Sequence, residues 1–151
     1  MQLSEHFSLE QLTASVIATR KGIPNVPDAD QVENLRLLAQ YLENVQSLLG
    51  RVLVIDSAFR SLKLNSAIGG SSTSAHLEGY AADFVCPAFG TPREICEAIA
   101  GAEISFDQLI QEGATAEGGG WTHLSIAPAM RGEILTATFL NGKAVYSQGL
   151  A

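Results

Sequence analysis

No stretch of the chain approaches the roughly 20 consecutive apolar residues that a membrane-spanning helix requires, so membrane insertion is not expected. Basic residues are scarce: nine Lys and Arg stand against 16 Asp and Glu, for a net charge of −7. An acidic surface gains nothing from a phosphate backbone, which argues against nucleic acid as a partner. Cysteine is limited to Cys86 and Cys96, a spacing that is neither a CxxC pair nor a zinc ribbon. Two reduced, buried thiols are expected, with a disulfide left open. The polar start, which carries Glu5, His6 and Glu10, lacks the basic end and apolar stretch of a signal peptide. Synthesis in the cytoplasm is therefore the expectation. No repeat, low-complexity tract or long linker interrupts the chain, so one domain over residues 1–151 is expected.

What is present suits a globular α+β protein, with 46% hydrophobic and 17% charged residues. Ser8, with Gln11 three positions on, forms a capping-box pattern, and the helix it opens is expected to run to about Arg20 before Gly22. Val32, Leu35, Leu38, Leu42, Val45 and Leu49 recur at helical spacing, which predicts a second helix over 28–49 that Gly50 ends. Residues 56–73, rich in Ser, Gly and Asn, read mostly as loop. Thr91 and Pro92 open a short helix over 93–100. Short apolar runs predict strands at 52–55, 80–85, 106–111 and 121–126, and Asn141-Gly142 predicts a hairpin between 134–140 and 143–147. The expected architecture is helices first, then a mostly antiparallel sheet.

Two of the three histidines stand in informative places. His76 lies in Ser74-Ala75-His76-Leu77-Glu78-Gly79-Tyr80-Ala81-Ala82-Asp83, and His123 in Trp121-Thr122-His123. Strand alternation puts Ala81, Asp83 and Val85 on one face, and Trp121, His123 and Ser125 on one face of another strand. If those strands are neighbours, Asp83 and His123 point into one cleft, and His76 enters from the preceding loop. Two imidazoles and a carboxylate are a zinc ligand set that leaves a position for water. Spacing alone favours the plainer reading, in which the histidines are hydrogen-bonded core or surface residues and Asp83 a turn or cap.

Ser74-x-His76-x-x-Gly79-x-Ala81-x-Asp83 followed by Trp121-x-His123 resembles the M15 zinc peptidases. These are the D-Ala-D-Ala carboxypeptidases and the phage L-alanyl-D-glutamate endopeptidases, whose fold is similar to the hedgehog signalling domain. Leu3-Ser4-Glu5-His6-Phe7, Ser57-Ala58-Phe59-Arg60-Ser61, Leu64-Asn65, Gly69-Gly70-Ser71 and Phe106-Asp107-Gln108-Leu109-Ile110 extend the likeness to the small phage and prophage branch. The resemblance implies one zinc ion on His76, Asp83 and His123, and peptidoglycan peptide as the substrate. With no signal peptide and no wall-binding repeat in the sequence, such a substrate would require release by other means and delivery by a phage particle or another wall-targeting protein.

Arg60 falls where relatives keep an arginine beside the metal. A guanidinium there would hold a substrate carboxylate or carbonyl and oppose charge on the oxyanion; the alternative is an ion pair with Asp56 or Glu112. Ser74 is a candidate for substrate binding or for shaping its loop. Gln108, with Asp107 beside it, is a weaker candidate for orienting substrate or ligands. His6 is expected to pack or cap. The chain departs from the family at the general base. Many relatives place an acid three residues before the last histidine, and here that residue is Gly120. Glu117, in a glycine-rich loop that could fold over the site, is the preferred acid for the role, and Glu112, held more rigidly at the end of its strand, is the other. A module that binds zinc without turnover is the alternative to an enzyme, and a zinc amidase fits the motif less well.

Overall fold

The computed structural model describes residues 1–114 and 119–151. The chain is α+β: N-terminal helices are followed by a six-stranded mixed, mostly antiparallel sheet. By contact density it divides into two compact units, Met1–Asn44 with Ile55–Ala82, and Val45–Val54 with Asp83–Ala151.

The first unit begins with α1 (Leu9–Thr13), whose capping box joins Ser8 and Gln11 as the sequence predicts. The helix does not run to Arg20. Ala14 is extended, and Ser15 opens a separate α2 (Val16–Lys21) by accepting from the Ala18 amide. A second cap seven residues after the first outweighs the continuing apolar pattern, because it satisfies an amide that would otherwise lack a partner. Gly22, in the left-handed conformation, then closes α2. The long helix α3 (Ala29–Leu49) buries Leu35, Leu38, Ala39, Leu42 and Val45. Strand β1 (Val54–Ser57) starts two residues later than expected. The segment expected as loop contains α4 (Leu62–Ala67), capped by Ser61, with Leu64 and Asn65 buried. Its single apolar anchor made it invisible as a helical stripe. Next comes a 3-10 turn, Ala75–Glu78, which carries His76, and it ends on Gly79.

The second unit carries the rest of the sheet. Strand β2 (Ala81–Val85) is followed by α5 (Pro92–Ala100), capped by Thr91 with Pro92 at its first position. Then come β3 (Gln108–Glu112), β4 (Trp121–Ser125), β5 (Glu133–Leu140) and β6 (Lys143–Gln148). The strand order is β1-β2-β4-β3-β5-β6. Strand β3 pairs antiparallel with β4 and parallel with β5, and β5 pairs antiparallel with β6. Asn141 and Gly142 both have positive φ in the two-residue link, as a type I′ turn demands. Helix α5 packs on β3 and β4. Its Ile95, Cys96 and Ile99 are buried, as are Leu109 and Leu124 of those strands. Cys86 and Cys96 are free and buried, and burial pushes the Cys96 thiol up to about 12.

Candidate metal centre

His76 is set by the backbone around it. Gln31 Nε2 donates to the Leu77 carbonyl at 3.1 Å and Asn34 Nδ2 to the Glu78 carbonyl at 2.8 Å, which pins the turn to α3. Gly79 makes that approach possible. Its φ is +82°, and a Cβ there would stand 3.0 Å from the Gln31 carbonyl and 3.1 Å from Leu35 Cγ. The Ser74 hydroxyl accepts from the His76 amide at 3.2 Å and from Arg60 Nη2 at 3.4 Å, so it shapes the loop. The His76 carbonyl accepts from the Arg60 amide at 3.1 Å. Asn25 fixes the Arg60 segment, donating to the Phe59 carbonyl and accepting from the Ser61 amide.

The imidazole of His76 is 1% exposed, and its Nδ1 lies 2.6 Å from the Ala58 carbonyl. A carbonyl only accepts, so Nδ1 carries a proton, and in the neutral form of the ring the lone pair is then on Nε2. That is the tautomer a metal ligand needs, with its other nitrogen held by the backbone.

Strands β2 and β4 are neighbours in the sheet, and His123 Nδ1 lies 2.9 Å from Asp83 Oδ1. Both side chains are largely buried. An imidazole nitrogen and a carboxylate oxygen this close either share a proton or are drawn together on a cation. One ligand atom from each of His76, Asp83 and His123 lies within 4.8 Å of the other two. Two nitrogens and one oxygen at this separation fit a metal ion, and the buried group could hold one.

The remaining candidates divide. On β3, Glu112 stands opposite Trp121 and Ile110 opposite His123, so Glu112 shares His123's face of the sheet at a diagonal position. Its Oε2 accepts from Trp121 Nε1 at 2.6 Å. Glu117 lies outside the described residues. Gln108 is tied through Nε2 to Glu133 Oε1 at 2.6 Å. Asp107 is buried and takes a two-pronged hydrogen bond from Arg131, which, with the Arg131 amide, holds its carboxyl below the ordinary range. It therefore anchors the start of β3. His6 is exposed rather than packed, and its Nδ1 lies 2.7 Å from Glu43 Oε1. The sequence reading missed Gln31, Asn34 and Asn25, whose supporting contacts here are to backbone groups remote in sequence. No local pattern marks such contacts.

Gly120 has a local cause. Its φ is +80°, and a Cβ there would lie 2.3 Å from the Glu112 carbonyl and 2.6 Å from the Ala114 amide. No side chain fits where the backbone passes this close to the end of β3. Gly120→Ala is expected to cost at least about 2 kcal/mol from the left-handed conformation and the clash together. Urea denaturation checks this, and a loss below about 0.5 kcal/mol would show that the loop relaxes freely.

A mixed sheet with a buried His/Asp/His group on a strand-linked turn and two of its strands defines a candidate metallohydrolase. The chain belongs to the Peptidase M15 family, which matches residues 5–125. That span contains all three members of the group. No curated protein matches the chain.

Proposed function

We propose that the chain is a zinc-dependent peptidase that hydrolyses peptide bonds in bacterial peptidoglycan. The observation that carries this reading is the buried His76/Asp83/His123 group within a chain of the M15 peptidase family. The donor set favours a single zinc ion over harder cations, which prefer all-oxygen cages. When bound, zinc supplies Lewis-acid polarisation and water acidified to a pKa of roughly 7.

The protein's own residues supply the rest. Glu112 takes a proton from the attacking water on its carboxylate and returns it to the departing amine. Its place on His123's face supports the assignment, and the Trp121 indole fixes its orientation. Glu117 is the competing base. The Arg60 guanidinium holds a substrate carbonyl or carboxylate and opposes charge growing on the oxyanion. Ala58, through its carbonyl, keeps His76 in the ligating tautomer. Release to the wall by a phage particle or another wall-targeting protein completes the reading.

Digestion of purified peptidoglycan by zinc-loaded protein tests it. New stem-peptide or cross-bridge termini, read by mass spectrometry and abolished by a chelator, are the expected result, and they name the bond. Gly120 favours a second reading, a zinc-holding wall-binding or phage structural module without turnover. An intact wall from several peptide chemotypes, with zinc measured in the protein, would establish that reading instead.

A further inference from the structure

The C-terminal hairpin, β5 and β6, lies beyond the residues matched to the family. Its register aligns it with the candidate site. Tyr146 stands opposite Ala137, Ala137 opposite Glu112, and Glu112 opposite Trp121. Directly opposed residues share a face, so one row runs Trp121, Glu112, Ala137, Tyr146 across four adjacent strands. The next row on that face runs His123, Ile110, Leu135 and Gln148. Ile110, Leu135 and Ala137 form a buried apolar cluster. At the far end of β5, Phe139 lies against Trp121 with ring centroids 5.8 Å apart. The face that carries His123 thus has a buried apolar stretch, an aromatic pair at one end and an exposed Tyr146 at the outer edge.

We propose that Tyr146 is a substrate-binding residue, its phenol donating a hydrogen bond to a backbone amide carbonyl of a peptide that runs past the exposed β6 edge of this face. The proposal rests on the peptidase reading above. Tyr146 is 54% exposed on an edge strand, so a ligand can reach it. Among the described residues none hydrogen-bonds its hydroxyl. Partial burial first, then the charges of Glu112 and Asp83, raise its pKa. The phenol therefore stays protonated, and remains a donor, throughout the neutral range. A protonated phenol donates one hydrogen bond, and a peptide carbonyl is an acceptor that every residue of a peptide offers. This makes Tyr146 a determinant of how the chain runs past the scissile bond.

The test compares Tyr146→Phe with Val145→Ala in the full-length zinc-loaded protein. Val145 alternates to the opposite face of β6 and reports simple damage to the hairpin. The probe is a soluble peptidoglycan stem pentapeptide. It is followed by cleavage and, independently, by the fluorescence of Trp121, the sole tryptophan. Tyr146→Phe is expected to raise KM and Kd together by roughly fivefold to tenfold, the worth of one neutral hydrogen bond, with kcat and zinc content unchanged. Val145→Ala is expected to change neither. A wild-type protein that binds the peptide without cutting it would overturn the peptidase reading, while a weakened Tyr146→Phe would still support the contact. Equal affinity of Tyr146→Phe and wild type, or an equal loss in Val145→Ala, overturns the inference whatever the activity.

Discussion

His76→Ala is expected to lose stoichiometric zinc and all detectable hydrolysis, and its melting temperature should no longer respond to a chelator. Three protein ligands are the usual minimum for a catalytic zinc, and removing one leaves a carboxylate and a single imidazole. His76 also contributes the most preorganised donor. Its ring is buried, its tautomer is set by the Ala58 carbonyl, and its turn is pinned to α3 by Gln31 and Asn34. A ligand present at 1,000 times its Kd stabilises a fold by about 4 kcal/mol. For a chain of this size, that corresponds to a shift in Tm of very roughly 10 °C. Wild type should lose that increment on chelation and His76→Ala should have none to lose. The variant's lower starting Tm, from a cavity at a buried position, does not affect the comparison because each protein is its own reference. Metal analysis and melting curves with and without chelator check the prediction, and a His76→Ala protein that keeps one zinc per chain would sink the ligand assignment.

Much of this centre is legible in the sequence because its parts obey short-range rules. Asp83 and His123 fall on strands whose period-2 alternation fixes which way they point. The Thr91-Pro92 start of α5 and the Asn141-Gly142 hairpin are local stereochemistry, and both form as expected. Other features need contacts remote in sequence. The break at Ala14 is a contest between an apolar stripe and a second capping serine, which the stripe alone does not decide. Helix α4 buries Leu64 while its other leucine, Leu62, two positions away, is exposed, so no helical periodicity announces it. The site's support is harder still to read. Gln31, Asn34 and Asn25 act through backbone partners up to 46 residues away. The place of Glu112 depends on which strand lies beside β4, and that of Tyr146 on the parallel pairing of β3 with β5. Sheet order brings four residues distant in sequence into one row, and composition carries no trace of it.

The base assignment yields the second large effect. Glu112→Gln is expected to lower kcat by about 10²–10⁴-fold, with zinc content and KM close to wild type. The amide keeps the size of the side chain and an oxygen that accepts from Trp121 Nε1, so the strand register and the indole contact survive. Only the capacity to take and return a proton is lost. With glycine at position 120, Glu112 and Glu117 are the acids left for the role. Where relatives carry an acid three residues before the last histidine, this backbone passes 2.3 Å from any Cβ placed there, and the atom it would strike is the carbonyl of Glu112 itself. The close approach that excludes a side chain at 120 holds the end of β3 beside β4, on the face that carries His123. Trp121→Phe separates orientation from proton transfer. It removes the donor at 2.6 Å while leaving the carboxylate, and should lower kcat by no more than about tenfold. Glu117→Gln is the decisive companion. If Glu112→Gln keeps more than a tenth of wild-type kcat while Glu117→Gln loses it, the proton passes through Glu117, and the diagonal position of Glu112 beside His123 serves only to hold Trp121.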